Sequence, residues 1–228
     1  PNPFDEINLE AKAAIVFDVL ENKVIYSLNS EGQLPLASLA KIMTAVVTRE
    51  ILPDYATVTI DNDSVKKEGD SGLRVGEKWR ARDLLDFTLL VSSNDGAASL
   101  AAAAGLVFSG SGQNTESTIT DVATRENDFV GKMNEKARSL GLVQTYFLNE
   151  TGLDLQSQVS GAYGSARDVA NLLAYAVEKY PDLFEATRQP TLKVSPLDGK
   201  SREAKNTNEA ALKIPGLIAS KTGYTDLA

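Results

Sequence analysis

The chain has 228 residues, 43% of them apolar and 24% charged, with a formal net charge of -8 and neither histidine nor cysteine. Its length and composition are those of one folded domain with a sizeable core, which excludes disorder, coiled coil and collagen, and the acidic balance without a basic stripe excludes nucleic acid as a partner. The missing histidine and cysteine remove the Ser-His-Asp triad, thiolate nucleophiles, disulfides and the commonest metal ligands, so no cofactor and no metal site is expected.

In chain order, 13–20, rich in Ile, Val and Phe, and its partner 23–29, joined by the turn residues Glu21-Asn22, are expected to open the chain as a β-hairpin. Residues 36–52 carry Leu39, Ile42, Met43, Val46 and Val47 at helical spacing, with Ser38 near the start and Pro53 closing the run. Ser38 and Lys41 stand three apart on that helix and share a face. A short strand and a polar loop are expected over 56–67, then a turn-rich stretch over 70–78 with Gly72 and Gly76. Asp61, Asp63, Glu68 and Asp70 cluster there, but Lys66 and Lys67 interrupt them and the spacing fits no calcium loop, so they read as solvated loop charge.

Residues 82–91 form an amphipathic helix, Ser92-Ser93-Asn94 a polar break, and 95–104 an Ala-rich helix. The Ser, Thr, Gly and Asn of 109–127 read as an exposed loop, Phe129, Met133, Ala137 and Leu140 as a helix stopped by Gly141, and 165–180 as a helix capped by Ser165. Short strands are expected over 191–195 and over 216–220, the second leading into Lys221-Thr222-Gly223. Strand-forming ends around a helical middle imply one 228-residue α/β (α+β) domain. Its α/β lobe is expected over about 1–60 and 190–228, with an all-helical lobe inserted over about 61–189. No run approaches the roughly 20 apolar residues of a membrane helix.

Without histidine, an attacking serine needs another base, and a lysine can serve only when deprotonated by burial or by a nearby cation. Lys41, on an apolar helix, meets the first condition, and Lys221 supplies the second if the two meet in space. Spacing alone does not single them out. Ser64-Val65-Lys66-Lys67 also fits Ser-x-x-Lys, but in a polar loop where Lys67 reads as plain surface charge. Ser27-Leu28-Asn29 fits Ser-x-Asn at a strand end, where both residues commonly bond the local backbone. Taken singly, Ser38 also reads as a helix cap, Lys41 as a snorkelling lysine, Ser92 and Asn94 as an interhelical turn, and Lys221-Thr222-Gly223 as a strand ending at a glycine turn.

Ser-x-x-Lys, Ser-x-Asn and Lys-Thr-Gly in this order resemble the signature of class A β-lactamases and penicillin-binding proteins. The stretch Pro35-Leu36-Ala37-Ser38-Leu39-Ala40-Lys41-Ile42-Met43-Thr44-Ala45, with Ser92 to Ala98, Met133-Asn134, Asn149-Glu150-Thr151-Gly152-Leu153 and Lys221-Thr222-Gly223-Tyr224-Thr225, resembles the low-molecular-weight D-alanyl-D-alanine carboxypeptidases. The resemblance implies the β-lactamase/transpeptidase-like fold, an antiparallel sheet flanked by helices, with the last strands and closing helix of that fold outside this chain. It also implies that Ser38 attacks a peptidoglycan stem peptide ending in D-Ala-D-Ala, with Lys41 as base. Ser92 would relay the proton, Asn94 would orient Lys41 and the substrate amide, and Lys221 with Thr222 would hold the terminal carboxylate. The N–H groups of Ser38 and Tyr224 would form the oxyanion hole, with Gly223 between them and Thr222. β-Lactams would acylate Ser38, and the location would be extracytoplasmic, the export signal not being present in this chain.

Two alternatives carry the same motifs. A class A-like serine β-lactamase needs a carboxylate for its deacylating water between the second and third motifs, with Asn four residues on. Glu150 lies in that interval, but Asp154 holds the fourth position. A penicillin-recognising sensor would acylate and stay acylated.

Overall fold

The computed structural model describes residues 7–108 and 122–228. The opening hairpin is β1 (Ala14–Asp18) against β2 (Lys23–Leu28), antiparallel with a register shift between Val16 and Phe17. Asp18 Oδ1 accepts from the N–H groups of Leu20 and Glu21 at 3.0 Å, so the side chain organises the turn before Asn22 takes its positive φ of 49°. β3 (Leu34–Pro35) leads through a 3-10 turn, Ala37–Leu39, into α1 (Ala40–Ile51). Every residue from Ala40 to Thr48 is buried, because α1 is packed by helices on all sides.

Next come β4 (Thr57–Thr59), β5 (Lys78–Arg80), α2 (Ala81–Val91), α3 (Asn94–Phe108) and α4 (Val122–Ser139). The chain continues with β6 (Tyr146–Phe147), β7 (Ala162–Gly164), α5 (Ala166–Lys179), β8 (Thr191–Val194) and β9 (Arg202–Lys205). α1 touches each of α2 to α5, and Ile42, Met43, Leu84, Leu90, Leu100 and Phe129 fill the space around it. Trp79, fully buried on β5, stacks on Phe87 of α2 with ring centroids 5.7 Å apart. Strand pairing among the described residues is antiparallel throughout: β1-β2, β3-β7-β6, β4-β5 and β8-β9. Ser165 caps α5, its Oγ accepting from Asp168 N at 3.1 Å.

Four local expectations need correction. The loop expected over 109–127 gives way to helix at Val122, and 109–121 lie outside the described residues. β5 and β9 are strands that periodicity does not announce. Arg202–Lys205 is a charged run that becomes a strand because β8 supplies a partner, with Thr191 opposite Lys205 and Val194 opposite Arg202. Segment 216–223, expected as a strand over 216–220 leading into Lys221-Thr222-Gly223, joins no ladder. A strand needs a neighbour about 4.8 Å away. Here an apolar groove of about 910 Å³, lined by Ile15, Phe17, Leu173, Val177, Ile218 and Ala219 among others, opens between this segment and the hairpin.

Candidate active site

Ser38 sits on the 3-10 turn ahead of α1, directly after Ala37, whose φ is +45°. A left-handed backbone at a residue with a side chain is uncommon, and strain of this kind gathers at functional sites. The Ser38 hydroxyl caps neither the turn nor α1, which removes the helix-cap explanation and leaves Oγ free for Lys41. Lys41, one turn further on, is wholly buried, so it does not snorkel.

Lys41 Nζ has three oxygen neighbours: Ser38 Oγ at 2.9 Å, Asn94 Oδ1 at 2.6 Å and the Thr151 carbonyl at 2.8 Å. A protonated amine has three N–H donors and can satisfy all three. Once it loses a proton, two N–H bonds remain for Asn94 and Thr151, and the lone pair is left facing the Ser38 hydroxyl. Burial first, and the Lys221 cation second, hold the Lys41 pKa well below the usual lysine range, while Glu150 acts in the opposite direction.

The break between α2 and α3 supplies the other wall. Ser92 ends α2 in the left-handed region, φ 59°. Ser93 caps α3, its Oγ accepting from Gly96 N at 2.9 Å. The helix cap in the interhelical turn is therefore Ser93, which leaves the Asn94 side chain for other partners. Asn94 is fixed instead at both ends of its amide, Nδ2 donating to the Glu68 carbonyl at 2.6 Å and Oδ1 accepting from Lys41. This pairing also settles which end of the amide faces the amine.

Segment 220–227 closes the site through side chains. Lys221 Nζ donates to Ser92 Oγ at 2.7 Å and to the Thr222 carbonyl at 2.6 Å. Burial lowers the Lys221 pKa to about 7. Thr222 Oγ1 lies 2.6 Å from Thr207 Oγ1, Ser220 N donates to Thr187 Oγ1 at 3.0 Å, and Asp154 accepts from Thr225 Oγ1 at 3.2 Å and Leu227 N at 3.3 Å. A Cβ added to Gly223 would stand 3.3 Å from Ser38 N, so the segment passes directly beside the nucleophile's backbone. Tyr224 is exposed.

Ser38, Lys41, Ser92, Asn94, Lys221, Thr222 and Gly223 thus meet at one place, while the decoys lie elsewhere. Ser27 Oγ donates to the Ser30 side chain at 2.8 Å and Asn29 Nδ2 to the carbonyl of Lys12, 17 residues away, at 3.3 Å, so both are tied up structurally, though not by the local backbone that a strand end suggested. Ser64 and Lys67 depart from expectation: Ser64 is fully buried, and Lys67 is ion-paired to Glu126 and Glu150 instead of standing free at the surface. Asp61 and Asp63 are used locally, Asp61 Oδ1 accepting from Ser64 N at 2.7 Å and Asp63 pairing with Lys66 at 2.7 Å.

Two partners of Lys41 and Asn94 are backbone carbonyls, of Thr151 and Glu68, which residue-type reasoning misses. The signal for the first was the stretch Asn149-Glu150-Thr151-Gly152-Leu153, which the resemblance includes without a role. Asn149 Oδ1 accepts from Thr151 N at 3.2 Å and from Gly152 N at 2.7 Å, folding the backbone so that the Thr151 carbonyl points at the amine.

A family model described as D-alanyl-D-alanine carboxypeptidase matches residues 2–228. The D-alanyl-D-alanine carboxypeptidase DacF of Bacillus subtilis is 32% identical over 228 residues, 96% of this chain and 52% of that protein. A D-alanyl-D-alanine endopeptidase of Pseudomonas aeruginosa is 32% identical over 225 residues, 96% of this chain and 65% of that protein. Among solved structures, penicillin-binding protein D2 of Listeria monocytogenes in its ampicillin-bound form superposes with a TM-score of 0.76 at 28% identity, covering 98% of this chain and 82% of that one. The chain spans between half and two thirds of the length of these two curated relatives.

Proposed function

Since the chain belongs to the peptidase S11 family, the D-alanyl-D-alanine carboxypeptidases, we propose that it is a serine carboxypeptidase that removes the terminal D-alanine from peptidoglycan stem peptides through an acyl-enzyme on Ser38. The observation that carries this reading is the buried Lys41 amine within 2.9 Å of Ser38 Oγ, in a chain that has no histidine. Lys41 takes the hydroxyl proton as Oγ attacks the carbonyl of the penultimate D-alanine. The backbone N–H groups of Ser38 and Tyr224 receive the developing oxyanion, a donor pair worth about 3 to 4 kcal/mol per donor in this kind of chemistry. Ser92, bonded to Lys221 at 2.7 Å, passes a proton to the departing amine, and Asn94 orients Lys41 and the substrate amide. Lys221 and Thr222 hold the terminal carboxylate. Water then releases the shortened peptide from Ser38.

β-Lactams are acylating inhibitors in this reading, because their strained amide and carboxylate match the same donors. The site of action is outside the cytoplasm, where peptidoglycan lies. No helix among the described residues is long and apolar enough to cross a membrane. Glu150 favours the carboxypeptidase over the class A-like β-lactamase: its carboxylate is buried and engaged with Lys67, which leaves it poorly placed to activate a deacylating water.

The deciding experiment uses a diacylated peptide ending in D-Ala-D-Ala and a fluorescent penicillin. The protein is expected to release D-alanine, and prior incubation with penicillin is expected to block that release. Rapid turnover of penicillin with no D-alanine released would make it a β-lactamase, and a lasting label with no D-alanine released would make it a sensor.

A further inference from the structure

Lys67 is held in a cluster that the reaction as described does not use. Its Nζ lies 3.0 Å from Glu126 Oε2 on α4 and 3.5 Å from Glu150 Oε1 on the loop after β6, and the Glu150 side chain is only 1% exposed. Burial alone would lower the Lys67 pKa, but the two carboxylates outweigh it and raise the pKa above the ordinary lysine value. Glu126 is pushed above the usual carboxylate range by burial and by the neighbouring Glu150 charge, against the pull of Lys67. A buried ion pair is weak evidence for stability, since desolvation offsets much of its attraction.

The neighbours of the pair along the chain point to a different role. The residue after Lys67 is Glu68, whose carbonyl accepts from Asn94 Nδ2 at 2.6 Å. The residue after Glu150 is Thr151, whose carbonyl accepts from Lys41 Nζ at 2.8 Å, and the Glu150 carbonyl itself accepts from Thr44 Oγ1 on α1 at 2.6 Å. Two of the three groups that hold the amine, Asn94 and Thr151, therefore depend on backbone segments that the Lys67–Glu150 pair fastens together. The pair also sets charge. The charged groups acting on Lys41 are Lys221 from the C-terminal segment and Glu150 from the loop after β6. Those around Glu150 are Lys67 and, from α4, Glu126, with Asp61 of the loop after β4 acting on Glu126.

Resting on the acyl-enzyme reading above, we propose that Lys67 and Glu150 are positioning residues for the Ser38–Lys41 pair: they align the acceptors around the amine, and their opposite charges balance the field in which it gives up its proton. Glu150 favours the protonated amine, and Lys67 moderates that effect.

The test is the pH profile of acylation by a fluorescent penicillin, measured on the whole chain. Acylation rises as Lys41 loses its proton, so its acid limb reports on that amine. Glu150→Gln removes an anion and is expected to move the limb to lower pH. Lys67→Met leaves both carboxylates uncompensated and is expected to move it to higher pH, each shift being about half a pH unit or more. Lys67→Arg restores the cation and is expected to restore the wild-type limb. A limb at the wild-type pH in both charge-removing variants, or shifted the same way in both, would overturn the proposal even if the plateau fell, because lost packing moves a rate and not the sign of a titration. Should either variant lose its fold by circular dichroism, Glu126→Gln provides the same test. It leaves Lys67 wholly to Glu150 and is expected to move the limb to lower pH, and an unmoved limb there also overturns the proposal. Absence of any label at Ser38 in the wild type would instead remove the acyl-enzyme reading on which it rests.

Discussion

Lys41→Met is expected to slow acylation of Ser38 by a fluorescent penicillin about a hundredfold to ten-thousandfold, the range lost when a positioned general base is removed. The effect is large because nothing else in the site can take the proton. Among the described residues, Lys221 is the only other amine bonded to the site's hydroxyls, and it bonds to Ser92 and not to Ser38. Lys41→Arg separates base from cation. A guanidinium keeps the charge and the donors but does not deprotonate in a protein, so this variant is expected to be as slow as Lys41→Met. The check is the second-order rate of covalent labelling, with circular dichroism as the control for folding. An Arg variant that labels at the wild-type rate would mean that Lys41 serves as a fixed charge and that the base lies elsewhere.

Gly152→Ala is expected to damage stability and activity together. Gly152 has φ +79°, and a Cβ there would overlap the Ala37 carbonyl oxygen, come within 2.5 Å of the Ala37 carbonyl carbon and 3.0 Å of Ala40 Cβ. The left-handed backbone costs an alanine about 1 to 2 kcal/mol. Relieving the overlap adds about 1 to 3 kcal/mol, since the atoms in the way are backbone and cannot turn aside as a side chain would. A total loss of about 2 to 5 kcal/mol in urea unfolding is therefore expected. The displaced pieces are the turn that carries Ser38 and the peptide whose carbonyl holds Lys41. A shift of even an ångström there is expected to reduce acylation about a hundredfold. A variant with wild-type labelling and wild-type stability would show that the Ala37–Gly152 contact does not set the geometry of the nucleophile.

How far the sequence reached depends on how local each feature is. Ser38 and Lys41 were legible as a pair because three residues of helix bring them to one face, and the burial of Lys41 followed from the apolar residues around it on α1. The hairpin, α2, the break at Ser92 and the cap at Ser165 were legible for the same reason. Contacts between distant segments were not. The partners of Lys67 come from α4 and from the loop after β6, so a lysine in a polar stretch read as surface charge. The carbonyls of Glu68 and Thr151 carry no side-chain signal at all. β9 reads as a charged run until β8 lies beside it, and the Lys-Thr-Gly segment reads as a strand although side chains of Ser92, Thr187 and Thr207 hold it instead of a ladder. The resemblance to D-alanyl-D-alanine carboxypeptidases could be drawn from short motifs because those motifs sit where backbone and side chains converge on Lys41.

The central claim is that Ser38, and no other serine, becomes acylated. Mass spectrometry of the protein after incubation with a penicillin tests it most directly, by locating the added mass on a peptide. The account predicts one adduct, on Ser38, absent in Ser38→Ala and retained in Ser64→Ala, whose serine lies on the second Ser-x-x-Lys motif with its lysine already committed to two carboxylates. An adduct on Ser64, or no adduct on any serine, would contradict it.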